Sequence, residues 1–321
     1  MNIRFYLIVI LKYENVVIFM FKKGIFVLLG LFFILLIVNN VSASSYGISN
    51  STDIDTISKM VSGKIPIKEG KFIKNGDVVK FNTGNYKNIN LVVNKKITLT
   101  TTKSGKNKVN FIGNGTRIGI KIKSTKVRIN GLRIENYNYG IYGKTKNSSI
   151  NKIILYKSSI KIMGNYNKIS HNKLLGHMSG FMEVSGKYNK LYSNKLYKSA
   201  MSVRGFKNTI HKNRVVKSKS YSIEVSGSNN LITSNYMSGY RDSTGLAISD
   251  SSNNKIYYNT IIKSYWGINV FGTKNIFYKN KIYRCKIGIE YEYKSNKFIK
   301  NIFKKNKKNI SFSSPNFGPP E

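Results

Sequence analysis

Between Asn167 and Phe303 one phrase is written seven times: Asn, any residue, an apolar residue, two further residues, then Asn, any residue and an apolar residue again. The first Asn of each copy is Asn167, Asn189, Asn208, Asn230, Asn254, Asn275 and Asn296, so copies begin 19 to 24 residues apart. The second Asn is Asn172, Asn194, Asn213, Asn235, Asn259, Asn280 and Asn301. A unit of about 20 residues cannot bury its own apolar side chains, and becomes stable only when copies stack. The chain therefore reads as a solenoid rather than a domain with one central core.

Between the Asn pairs runs an apolar-x-apolar step, usually beside glycine. It is written Met182-Glu183-Val184, Met201-Ser202-Val203, Ile223-Glu224-Val225, Leu246-Ala247-Ile248, Ile268-Asn269-Val270 and Ile289-Glu290-Tyr291. Each repeat thus holds about three short strands of period two and no helix-length segment of helical period. A leucine-rich horseshoe would need a helix and regularly spaced Leu in every unit, and neither is present. Strands of this length bury their apolar residues by winding into an all-β, single-stranded parallel β-helix, one coil per repeat, with coils ~4.8 Å apart. Asn is expected at the corners because it tolerates left-handed backbone and its amide bonds to neighbouring backbone. Stacking would align Asn172, Asn194, Asn213, Asn235, Asn259, Asn280 and Asn301 into a side-chain ladder.

The Asn-x-Ile-x-x-Asn-x-Ile phrase, followed by Gly-Ile-x-Val, resembles the right-handed parallel β-helix (PbH1-type) repeat of the pectin-lyase-like superfamily. It is most similar to NosD-like periplasmic proteins and archaeal adhesin-like surface proteins. Gly76-Asp77-Val78 through Gly84-Asn85-Tyr86 resembles the opening coil of secreted β-helix proteins. The likeness extends over about Asp53 to Phe303. It implies a helix plugging the N-terminal end, and substrate, where there is any, on one outer sheet face. It does not imply an activity, since this fold hosts lyases, hydrolases, epimerases, adhesins and passive scaffolds.

Ile25 to Val38 is an apolar run after Lys22-Lys23 and before Val41-Ser42-Ala43, the pattern of a secretory signal peptide cleaved after Ala43. Residues 1–43 are assigned to it, with residues 1–19 read as a start-site overcall ahead of Met20. The alternative is an uncleaved segment giving the only membrane attachment. Thr52 or Asp53 is expected to cap a short helix with Ile54, Ile57 and Val61 on one face. The strand rhythm is unbroken, so residues 44–303 form one β-helix of about ten to eleven coils, a rod of about 50 Å. Residues 304–321 are read as a basic, Pro-rich tail whose lysines blunt the last strand edge.

The chain carries 54 Lys and Arg against 13 Asp and Glu, a formal charge of +41. Loss of residues 1–43 would remove four cations (Arg4, Lys12, Lys22, Lys23) and Glu14, leaving +38. Such a charge favours anionic polymers, although Lys also solubilises a rod with an outward side chain at every second position. No RNA- or DNA-binding motif is present, so no specific nucleic-acid partner is expected. The single Cys285 excludes an internal disulfide. Sequons stand at Asn50, Asn114, Asn147 and Asn309.

In each apolar-x-apolar step the middle residue faces outward, giving the column Glu183, Ser202, Glu224, Ala247, Asn269, Glu290 and, two residues on, Ser185, Arg204, Ser226, Ser249, Phe271, Glu292. Glu183 and Glu224 lie two coils apart, roughly 9–10 Å, at the wide end for an inverting glycosidase pair, about 6.5–9.5 Å. Arg204 on the intervening coil reads instead as part of a charge ladder. A uronate lyase would need a base at the C5 proton and a cation on the carboxylate, for which Arg204, His211, Tyr221 and Arg241 are candidates. The weak catalytic candidates are thus Glu183, Arg204, His211 and Glu224. The longest coil carries Ser238-Gly-Tyr-Arg-Asp-Ser-Thr-Gly245, expected to protrude. Tyr240, Arg241, Trp266 and Phe271 are the ligand-binding candidates, as a stacking and charge platform for sugars. His171, His177 and Met178 lack paired ligand spacing, and no metal or other cofactor is expected.

The sequence thus describes a secreted or cell-surface β-helix, adhesin-like and non-catalytic, that binds acidic polysaccharide or a cell-envelope polymer. The alternatives are a polysaccharide lyase or epimerase and a passive structural envelope protein.

Overall fold

The computed structural model describes residues 43–102, 108–176 and 180–313, together with two short antiparallel strands, β1 (Leu11–Tyr13) and β2 (Val16–Ile18). The chain divides into two units, residues 1–42 and 43–321. The expected signal peptide therefore falls almost wholly outside the described residues.

The second unit is a parallel β-helix. Eleven coils each lay down three strands, which stack into a first sheet of 12 strands and second and third sheets of 11. In the seventh coil these are Thr209–His211, Arg214–Ser218 and Tyr221–Ser226. The register is set by the inward residues. Ile169, Leu191, Ile210, Ile232 and Ile256 lie opposite one another in the first sheet, and all are fully buried. A slip of one residue would turn that file out to water, so burial fixes the stacking.

At the corners the strand hydrogen bonding is interrupted, and buried Asn side chains replace it. The Asn213 amide oxygen accepts the Asn194 backbone N–H at 3.0 Å and its Nδ2 at 2.9 Å. Asn213 Nδ2 donates to the Leu191 carbonyl at 2.9 Å and to Asn235 Oδ1 at 3.0 Å. The pattern repeats from Asn172 to Asn301. A second column runs from Asn167 to Asn296 at the corner entering the first sheet. Ser148 and Ile153 hold the equivalent places one coil earlier, their backbone N–H groups donating to Asn167 and Asn172. The expected ladder is present, but left-handed backbone belongs to the residue before each Asn. His171, Ser193, Lys212, Ser234, Tyr258, Lys279 and Lys300 all have φ between 51° and 58°. The Asn itself is needed for its amide, and the turn is imposed on whatever precedes it.

The N-terminal coils are held differently. Phe81, Tyr86 and Phe111 pack edge to face with centroids 5.0–5.6 Å apart. The Tyr137 hydroxyl donates to the Ile89 carbonyl at 2.9 Å. Helix α1 (Ile54–Ser62) is capped by Asp53, whose carboxylate accepts the Thr56 N–H, and it buries Ile57 and Val61. It lies against the first strand of the third sheet, Leu91–Val93. The expected cap is therefore in place. At the other end the boundary at Phe303 falls short. Lys308–Phe312 pairs with Ile287–Tyr291 and closes the eleventh coil. The surrounding lysines concealed a strand with only Ile310 and Phe312 to mark it.

Replacing Asn213 by Ala strands two donors and two acceptors in a buried corner, and should destabilise by about 3–5 kcal/mol in urea denaturation. Lys212→Gly relieves the left-handed backbone beside it and should stabilise by about 0.5–1 kcal/mol in the same assay.

Candidate functional site

Two surfaces of the β-helix carry chemistry. The first is the outer face of the third sheet, where pairing aligns Lys161, Glu183, Ser202, Glu224, Ala247, Asn269 and Glu290. Ser185, Arg204, Ser226, Ser249 and Phe271 form the neighbouring file. Both columns read from the sequence are therefore real through these positions. Glu183 is held between two cations, Lys161 Nζ at 3.0 Å and Arg204 at 3.9 Å. The Ser202 hydroxyl donates to Glu224 at 2.8 Å. The hydrogen bond to Glu183 raises the Lys161 pKa. Burial, reinforced by the Glu224 carboxylate, pushes the Tyr221 phenol up to about 12.

Tyr221 therefore keeps its proton at neutral pH and can donate it, but is not a ready base. Lys161 is held as a cation. Glu183 is answered by two cations, whereas Glu224 and Glu290 have no ion pair among the described residues. His211 is not part of this face. It stands on the first sheet between Tyr192 and Thr233, with its Nδ1 buried and without a hydrogen-bond partner. His171 is an exposed corner residue whose ring meets Tyr192 edge to face, whereas His211 lies within a strand rather than at a corner. His177 and Met178 lie outside the described residues.

The second surface is the corner between the second and third sheets. Here the ladder is reduced to Asn306, whose Oδ1 accepts the Cys285 N–H; in earlier coils small buried residues, Ser158, Ser199, Ser264 and Cys285, take the inward places and leave the corner hollow. Burial raises the Cys285 thiol pKa. Over Ser264 and Cys285 opens a groove of about 880 Å³ walled by Arg241, Lys263, Arg284, Lys286, Lys305 and Lys307. Asp242 is the one carboxylate lining it. None of those six cations is ion-paired among the described residues, where the three ion pairs are Arg133–Glu135, Lys161–Glu183 and Arg204–Glu183. Lys286 instead lies over the Tyr265 ring at 4.3 Å and donates to its hydroxyl at 2.8 Å. A neutral ring steadies a cation without cancelling its charge.

The four residues expected to form a sugar platform divide between surfaces. Tyr240 and Arg241 line the groove, on a tight turn closed by the Ser243 N–H to the Tyr240 carbonyl rather than on a long protruding loop. Trp266 is half-buried beside Tyr265, with ring centroids 4.3 Å apart, and is not part of the core. Phe271 is exposed on the third-sheet face, five residues farther along the strand Trp266–Thr273, roughly 16 Å away. The composition of the basic corner was not legible as a site, because its cations sit at irregular sequence intervals among many other lysines. Among the described residues no group of three or more His, Cys, Asp or Glu could hold a metal ion.

Comparison with known proteins agrees with this architecture. Residues 177–316 match a family model described as a right-handed β-helix region, so the solenoid is a right-handed parallel β-helix. No curated protein matches the sequence. The A-module of the Azotobacter vinelandii mannuronan C-5 epimerase AlgE6 shares the fold with a TM-score of 0.61 and 9% identity, over 86% of this chain and 100% of that one. The AlgE4 A-module from the same organism gives 0.56 and 12%, over 83% and 95%. A mannuronic acid specific family 6 polysaccharide lyase from the human gut microbiota gives 0.54 and 15%, over 78% and 66%. At these identities the likeness is one of fold alone.

Tyr86, like Tyr221, is pushed up to about 12 by burial, from an ordinary 10.0. The unfolded chain releases such protons above about pH 10, whereas the folded protein holds them. Their stabilisation is intact below pH 10 and is lost as the pH rises towards 12. Denaturation midpoints should fall across that window, and Tyr221→Phe should flatten part of the fall.

Proposed function

We propose that this chain is a secreted or cell-surface β-helix that binds acidic polysaccharide, or a similar anionic envelope polymer, without transforming it. The observation that carries this reading is the groove between the second and third sheets, with six cations that form no ion pair among the described residues and one carboxylate. A polyanion satisfies that excess by replacing released counterions and by direct ion pairs. The mannuronan epimerases and mannuronic-acid lyase of the same fold carry acidic polymers in their names, which supports the class of partner.

A lyase or epimerase is the second reading, favoured by the proximity of Lys161, Glu183, Arg204 and Tyr221 on the third sheet. Elimination or epimerisation begins with removal of a proton from carbon. Arg204 and the protonated Tyr221 are poor bases for it, and Glu183 is already engaged by Lys161 and Arg204.

Binding to a polyuronate and to a neutral glucan, measured at low and high salt, tests the proposal. Binding to the polyuronate alone, weakened by salt and reduced about tenfold by Lys263→Glu with Arg284→Glu, is expected. Equal binding to the neutral glucan, or none to either, defeats it, and the latter leaves a passive structural role. Steady growth of unsaturated-uronate absorbance in the same samples would establish the enzyme instead.

A further inference from the structure

We infer that the polymer lies lengthwise along the corner between the second and third sheets, spanning six coils from Lys198 to Lys305, rather than on the third-sheet face. The inference rests on the acidic-polymer reading and adds a location, a direction and a length. From the fourth coil onward every non-glycine residue forced into left-handed backbone at this corner is a cation: Lys157, Lys198, Lys217, Lys263, Arg284 and Lys305. The other two corners mix lysine with neutral residues, such as Asn147, Tyr166, Tyr188 and Asn229 at one and His171, Ser193, Ser234 and Tyr258 at the other. Nothing in the backbone demands the difference, since all three corners impose the same φ.

A second file of cations stands two residues on, at Lys219, Lys286 and Lys307. Cations repeated on coils ~4.8 Å apart repel one another, so this arrangement is stabilised by an anionic ligand rather than by itself. Aromatic rings hold the charges in place at both ends. Lys198 and Lys217 lie over Tyr197, and Lys217 donates to its hydroxyl at 3.1 Å. Lys286 rests on Tyr265 in the same way.

The corner is also continuous. A smaller cleft lined by Phe181, Lys198, Lys217 and Lys219 meets the large groove at Tyr240, which lines both. Tyr240 is 40% exposed and offers a ring for a sugar face where the cation file is interrupted. Six coils make a track of roughly 24 Å between its first and last cations. A uronic acid chain carries one carboxylate per sugar, a spacing of the same order as one coil. The third-sheet face suits such a chain less well, because Glu183, Glu224 and Glu290 project from it.

Titration calorimetry with oligouronates from the dimer to about the dodecamer tests the inference on the whole protein. Affinity should rise about two- to threefold per added residue until the chain spans six coils, and then level off. Lys217→Glu with Lys219→Glu should bring that plateau to shorter oligomers. Lys212→Glu with Lys279→Glu, at the corner between the first and second sheets, should change binding by less than about twofold; circular dichroism verifies that both pairs fold. An affinity that levels off at the dimer or trimer, or equal loss in both pairs of variants, overturns the lengthwise track while leaving polyanion binding standing. Failure of every oligomer and of the polymer to bind overturns the underlying function as well.

Discussion

A parallel β-helix has one recurrent weakness: at every corner the ladder of backbone hydrogen bonds stops while the chain is still buried. An unpaired buried amide costs about 1–3 kcal/mol, and a coil has three corners. Here two of the three are closed by Asn side chains that bond to both neighbouring coils, and in the column from Asn172 to Asn301 they use both donors and both acceptor sites. Ser offers a shorter reach and Asp no donor, which is why the same residue recurs through the stack. The strained backbone at the preceding residue persists because the amide column and the apolar file together determine the turn.

That division of labour separates what the sequence revealed from what it hid. The Asn pairs and the Ile-x-Val steps are direct records of buried positions, so the coil count, the inward files and the Glu183–Ser202–Glu224 column were legible. So was the cap, since Asp53 precedes a helical face containing Ile57 and Val61. General preference puts the left-handed positions on the ladder Asn, whereas the structure puts them one residue earlier, mostly on Lys, Tyr, Ser and His, which leave no local signature. The last strand was missed because Lys308–Phe312 carries little apolar pattern. The basic corner stayed hidden for another reason. Lys198, Lys217, Lys263, Arg284 and Lys305 become one file only after coils of unequal length have been stacked.

The two charged surfaces differ in how their charge is balanced. On the third sheet, Glu183 sits with Lys161 and Arg204, and Glu224 with the neutral Ser202 hydroxyl, so the face keeps a carboxylate character. At the hollow corner Lys198, Lys217 and Lys286 lean on phenol rings, and the cations leave their charge to solvent. The hollow itself follows from Ser264 and Cys285, whose small side chains replace the amide column used elsewhere. One choice of corner residue therefore supplies both the concavity and the place where a ligand can reach the charge.

Each ladder Asn touches only the coil before it and the coil after it. A duplicated segment of about 21 residues could be spliced between two such coils and meet the same partners on either side. The molecule could thus gain length without redesigning its interior, and an inserted turn bearing a cation at the hollow corner would add one more rung to the track. Growth of the scaffold and growth of its grip would be a single genetic event.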